Sequence, residues 1–226
     1  MDTLGLIGGM SWESTAVDYE AINKRVSDRL GGVHSCKCII YSFDFDQIEQ
    51  LQKAGDWKTA TDSLCEAAPG LKACGANGIV ICTNTMHKLA AEVELRGGLP
   101  VLHIADANAV RIKNSNFTRV GLLGTRYTME QDFYKGRLID KDGLNIIIPD
   151  AHQRGNVHDV IYGELCNGIV KQESREKYVK IIQSLKEQGA QGVILDCTEI
   201  GWLVKPGDAD LSLFETTLIH ADMAAD

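Results

Sequence analysis

Two pairs of short segments recur along this chain of 226 residues at nearly one spacing. GLIG at Gly5–Gly8 returns as GLLG at Gly121–Gly124, an offset of 116 residues. GIVICTNT at Gly78–Thr85 returns as GVILDCTE at Gly192–Glu199, an offset of 114. The stretch before the second pair matches too: KACGANGIV at Lys72–Val80 against KEQGAQGVI at Lys186–Ile194. A chain that repeats itself in this way is expected to fold as two similar lobes related by a pseudo-twofold axis. The repeat sets the first lobe at residues 1–105 plus 207–226 and the second at 106–206.

The fold class follows from what lies between the repeats. Leu4–Ile7, Cys38–Phe45, Gly78–Cys82, Leu99–Ile104, Arg119–Leu123, Leu144–Ile148 and Gly192–Leu195 are short β-rich runs closed by glycine, proline or polar residues. Helical spacing of apolar residues marks Trp57–Cys74, where Pro69 predicts a kink, and also Met129–Ile139 and Tyr178–Gln188. Strand, turn and helix in succession predict an α/β fold with mainly parallel sheets flanked by helices. Ligands of such sheets bind outside the carboxyl ends of the strands. The turns after Ile7, Ile81, Leu123 and Leu195 are therefore the places to look.

Aligning the repeat pairs Cys82 with Asp196, Thr83 with Cys197 and Asn84 with Thr198. Successive strand residues point to opposite faces. If Thr83 faces the site, Cys82 faces away. After the first strand, Gly8, Gly9 and Met10 suit a backbone cradle for a carboxylate, and Thr125 occupies the matching turn of the second lobe.

CTNTMH at Cys82–His87 and CTE at Cys197–Glu199 resemble the paired signatures of the aspartate/glutamate racemases. GLIGGMSWEST at Gly5–Thr15, LGTRYTMEQDFY at Leu123–Tyr134 and GAQGVILDCTEIG at Gly189–Gly201 resemble the amino-acid racemase branch of that family. The resemblance covers almost the whole chain. It implies two α/β lobes with the active site in the cleft between them, no cofactor, and one proton-transfer group on each face of an amino-acid substrate. Thr83 and Cys197 are the catalytic pair so implied. Met10, Gln52, Asn84, Thr85, Thr125, Thr198 and Glu199 are the substrate-binding candidates, with Glu199 serving the ammonium group or the following helix start. His87 is either a positioning residue or a structural one. A thiol suits proton transfer because its ordinary pKa leaves some thiolate near neutrality, and a helix N-terminus after the strand is expected to lower it further.

One departure from the family pattern matters. The resemblance leads us to expect a cysteine in each lobe, and Thr83 stands in the first. Three readings stay open: Thr83 relays the proton with help from a neighbour or water, Cys82 is the alternative catalytic group through a twisted strand end, or a single cysteine performs α-proton exchange without inversion.

Other classes fit less well. A formal charge of −8 argues against nucleic acid or an anionic membrane surface as partner. The start MDTLGLIGGM lacks the pattern of a signal peptide, and the seven cysteines form no CxxC pair, so a cytoplasmic chain of free thiols is expected. No cluster of metal-ligand spacing predicts a metal site. The expected assembly is a homodimer acting on aspartate or glutamate. A decarboxylase or isomerase of small acids on the same scaffold, and a non-catalytic binding protein for a small acid, are the rival readings.

Overall fold

Strands of almost unbroken apolar sequence need cover on both faces, and helices supply it here in two separate units. The computed structural model describes residues 2–226. One unit comprises Met1–His103 and His220–Asp226, the other Ile104–Ile219.

The first unit runs β1 (Leu4–Gly8), α1 (Trp12–Leu30), β2 (Cys38–Ser42), α2 (Phe45–Ala54), α3 (Trp57–Ala73), β3 (Gly78–Ile81), a 3-10 turn (Thr85–Leu89), α4 (Ala90–Gly97) and β4 (Val101–Leu102). Its sheet is parallel, in the order β2-β1-β3-β4. The second unit runs α5 (Ile104–Asn114), β5 (Arg119–Gly124), α6 (Arg126–Glu130), α7 (Lys135–Asp140), β6 (Asn145–Ile147), α8 (Ala151–Gly163), α9 (Gln172–Glu187), β7 (Gly192–Asp196), α10 (Ile200–Leu203) and β8 (Ser212–Glu215). Its sheet is parallel too, in the equivalent order β6-β5-β7-β8. A last helix, α11 (Thr216–Ala224), ends the described chain. Among the described residues no helix is long and apolar enough to cross a membrane.

The repeated motifs have one physical cause in both units. A methyl group placed on Gly5 would lie 3.1 Å from Leu71 Cδ1 of α3, and one on Gly121 would lie 2.8 Å from Leu185 Cδ1 of α9. Glycine at the first position of GLIG and GLLG lets a helix settle on the central strand. Before each second strand an amide side chain stitches the strand start to its neighbour. Thr3 N–H donates to Asn77 Oδ1 at 2.9 Å, and Thr118 N–H donates to Gln191 Oε1 at 2.8 Å.

Several boundaries differ from the expectations. The chain after Pro206 does not return at once to the first unit. Leu213 and Phe214 of β8 pair with Val193 and Ile194, extending the second sheet, and only His220–Asp226 belong with the first unit. The apolar LSLF segment pairs along the parallel edge that β7 offers. Helix α3 continues past Pro69; buried Ala67, Ala68 and Leu71 hold the turn around the one backbone bond that proline removes. The single helix expected over Met129–Ile139 is broken at Gln131, whose extended backbone ends α6, and Tyr134 follows fully buried. β2 stops at Ser42 because Asp44 caps α2, β4 is confined to Val101–Leu102, and α9 starts six residues before Tyr178.

Gly9 is the sharpest backbone requirement in the first unit. Its φ is +82°, and a methyl group there would sit 2.3 Å from the Phe43 carbonyl oxygen. Gly9→Ala should therefore destabilise the chain by about 1–3 kcal/mol, read as a lower urea midpoint at unchanged slope. An unchanged midpoint would contradict this reading of the turn.

Candidate active site

Each second strand of a repeat ends in the same sequence of events. In the first unit, β3 pairs with β1 as far as Ile7 opposite Ile81, and the Cys82 amide donates to the Ile7 carbonyl at 2.9 Å. That bond fixes the chain direction at the strand end. Cys82 is 1% exposed and belongs to a core cluster with Leu4, Leu6, Ile22 and Val80. Burial, then the Asp18 carboxylate beside it, pushes its thiol well above the usual range. No twist or bulge brings this sulfur outward, so the alternative that rested on one has no support in the structure. Thr83, the next residue, is partly exposed. Asn84 and Thr85 are buried at the entrance of the 3-10 turn. The His87 Nδ1–H donates to the Thr83 carbonyl at 2.8 Å.

Residues from the neighbouring strand end and from α2 gather beside this turn. Met10 follows β1 and packs in one core cluster with Ile48 and Met86. Gln52 is buried on α2, and its amide donates to Met86 Sδ at 3.1 Å. The Gly9 amide is held by Thr15 Oγ1 at 2.8 Å. Thr15 also leaves Gly8 no room for a side chain: a methyl group there would lie 2.4 Å from Thr15 Cγ2.

The second unit repeats the layout with different chemistry. Gly124 of β5 lies opposite Asp196 of β7. Asp196 is 1% exposed, and burial pushes its carboxyl well above the ordinary value although the Thr128 and Tyr134 hydroxyls lie beside it. The residue aligned with Cys82 is thus buried in the same way. Cys197, aligned with Thr83, is partly exposed, and its Sγ–H donates to Glu199 Oε2 at 2.9 Å. Thr198 Oγ1 lies 2.6 Å from Thr217 Oγ1. Thr125 caps α6 and receives the Thr128 amide at 3.4 Å. Met10, Thr83, Asn84 and Thr85 therefore sit at adjoining strand ends of the first unit with Gln52 of α2 beside them, and Thr125, Cys197, Thr198 and Glu199 sit at the strand ends of the second.

The expected lowering of the Cys197 pKa is overturned. Burial, and next the neighbouring Glu199 carboxylate, push the thiol well above its ordinary value. Helix α10 after it is a single turn, Ile200–Leu203, and the hydrogen bond from the Glu199 backbone amide, which favours the thiolate, is outweighed by burial and by the Glu199 carboxylate. A higher pKa makes the thiolate a stronger base once formed, and Glu199 is the group within reach to take the thiol proton.

Sequence reasoning missed two features. Tyr134 and Thr128 close over Asp196; the signal was an acidic residue inside the apolar run GVILDC. His103 and His220 both pack their rings against His87, at 4.9 and 5.5 Å between centroids. Asp106, three residues after His103, is engaged elsewhere: Arg137 holds it with two bonds of 2.6 and 2.8 Å and Lys141 adds a third.

Comparison with known proteins adds to this geometry. The family model described as Asp/Glu/Hydantoin racemase matches residues 7–224. A candidate Asp/Glu racemase from Yersinia pestis is 56% identical, with a TM-score of 0.94, over 100% of this chain and 98% of that one. An aspartate racemase homologue from Pyrococcus horikoshii is 31% identical, with a TM-score of 0.85, over 99% and 97%. An uncharacterised protein from the pnlA 3′ region of Pectobacterium carotovorum is 33% identical over 100 residues, which are 44% of this chain and 65% of that protein. The match with that curated relative thus covers less than two thirds of its length.

If Glu199 holds the Cys197 thiol up, Glu199→Gln should move the pH midpoint of Cys197 alkylation by iodoacetamide downward, followed by peptide mass spectrometry. The sign is set by removal of a like charge from beside the thiolate. A midpoint that stays put or rises would refute the pairing.

Proposed function

The chain belongs to the Asp/Glu/Hydantoin racemase family, and on that premise we propose that it is a cofactor-independent racemase of aspartate or glutamate, with Cys197 and Thr83 moving protons at opposite faces of the α-carbon. One observation carries the reading. At the ends of β3 and β7 the aligned residues Cys82 and Asp196 are buried, while Thr83 and Cys197, the next residues, are partly exposed and bear transferable protons.

The chemistry divides unevenly between the two groups. The Cys197 thiol gives its proton to Glu199, and the resulting thiolate takes the α-proton. Negative charge then develops on the substrate carboxylate. Asn84, Thr85 and Thr198 supply hydrogen bonds to it, and Met10, Gln52 and Thr125 complete the walls. The Thr83 hydroxyl returns a proton to the other face, and water carries the proton held by Glu199 back to the alkoxide, which restores both the hydroxyl and the carboxylate. In the reverse sense Thr83 must act as an alkoxide, a form far harder to reach than a thiolate. The two enantiomers are equal in free energy, so kcat/KM is the same in both directions, whereas kcat and KM differ separately.

The homodimer follows the base rate for symmetric assemblies. Seven free thiols accord with a reducing cytoplasm. A decarboxylase or isomerase of small acids, or a binding protein, is separated from the racemase by one experiment. Aspartate and glutamate are incubated with the protein in heavy water, and α-deuteration and enantiomer composition are followed together. The expected result is both changes in wild type, and a loss of about 10²–10⁴-fold in Cys197→Ser. Full activity in Cys197→Ser, or saturable binding with neither change, would end the proposal.

A further inference from the structure

Three buried imidazoles stand behind the end of β3, and the proton-transfer scheme above leaves them all unused. His87, His103 and His220 all belong to the first unit, and each is at least nine-tenths buried. His87 lies on the 3-10 turn directly after Thr83. His103 follows β4, and His220 comes from α11. The rings of His103 and His220 pack at 4.9 and 5.5 Å from that of His87.

Two hydrogen bonds fix the tautomers. A carbonyl oxygen can only accept, so the 2.8 Å contact from His87 Nδ1 to the Thr83 carbonyl requires the proton on Nδ1. By the same argument the 2.7 Å contact from His220 to the Leu102 carbonyl requires the proton on Nε2. Burial holds both rings neutral, His220 at about 4 and His87 well below its ordinary value. A neutral ring carries one N–H. The Leu102 carbonyl also lies beside the His87 ring, but the contact in hydrogen-bond geometry is the one to Thr83, so the single donor goes to the residue that the racemase reading makes catalytic.

The consequence falls on the Thr83 backbone. Cys82 N–H is tied to the Ile7 carbonyl, Thr83 C=O to the His87 ring, and Asn84 C=O to the His87 backbone amide at 3.1 Å. Three consecutive residues are thereby held just where regular strand pairing has ended. We infer that His87 is a positioning residue: its Nδ1–H, braced by His103 and His220, sets the direction in which the Thr83 hydroxyl meets the substrate. This rests on the assignment of Thr83 to one face of the α-carbon. His87 touches neither substrate nor proton in transit, and acts through one carbonyl.

The test compares two amides of the same polarity. The side-chain nitrogen of asparagine reaches the place of Nδ1, and that of glutamine reaches the place of Nε2. In heavy water, each variant is scored for inversion relative to α-deuteration of the starting enantiomer. Deuteration of the starting enantiomer needs only the Cys197 face. His87→Gln should lower that ratio by up to about 100-fold, the scale of a 1 Å misplacement, with KM little changed. His87→Asn should recover most of it. His87→Leu, which fills the space without a donor, should behave as His87→Gln. A purely structural histidine would lower both rates together and follow the melting temperature; that outcome, or equal ratios in His87→Asn and His87→Gln, overturns the role. Should His87→Leu fail to fold, the two amides alone decide. Wild-type protein that neither inverts nor exchanges removes the racemase reading, and the positioning role with it, and is distinct from wild-type turnover that the variants leave at one ratio.

Discussion

Parallel pairing of β3 on β1, and of β7 on β5, decides which side chain is sealed in and which is left reachable at the strand end. In the first unit the last such bond runs from the Cys82 amide to the Ile7 carbonyl. In the second, the register carries Gly124 opposite Asp196. Both pairings deliver one residue to the packed layer and leave the next at the rim. A slip of one residue would exchange Cys82 for Thr83 and Asp196 for Cys197. In the observed register Gly5 and Gly121 lie under Leu71 and Leu185, where a side chain would collide.

Burial then settles the electrostatics. The groups beneath the strand ends are driven toward their neutral forms: the Cys82 thiol and Asp196 carboxyl upward, the His87 and His220 rings downward. Desolvation is the leading cause in all four. Glu199 stands apart, because its carboxylate is engaged with the Cys197 thiol at 2.9 Å. In each unit the layer beneath the strand end is thus poor in charge, and the polar groups left there are the amide and hydroxyl of Asn84 and Thr85 in the first and the hydroxyl of Thr198 in the second.

Much of this was readable from residues alone. The equal spacing of GIVICTNT and GVILDCTE was enough to align Thr83 with Cys197, and the two sheets share one strand order. What was not readable depended on contacts distant in sequence. β8 has only four residues, and its place on β7 follows from an open edge rather than from its own pattern. The break after α6 depends on burying Tyr134, which needs knowledge of Asp196. The pKa of Cys197 was misjudged because a helix was assumed where there is one turn, and because Glu199 was read as a substrate or capping group rather than the thiol's own partner. The link from His87 to His220 joins residues far apart in the chain, and no local spacing announces it.

The central claim is that the two faces of the α-carbon are served by different residues, one from each half of the repeat. Deuterium incorporation against inversion in Thr83→Ala is the measurement that bears on it most directly. Loss of the first-unit hydroxyl should abolish inversion while Cys197 continues to exchange the α-proton of the starting enantiomer with heavy water. Inversion by Thr83→Ala at the wild-type rate would contradict the account, since the proton would then be returning from some other group.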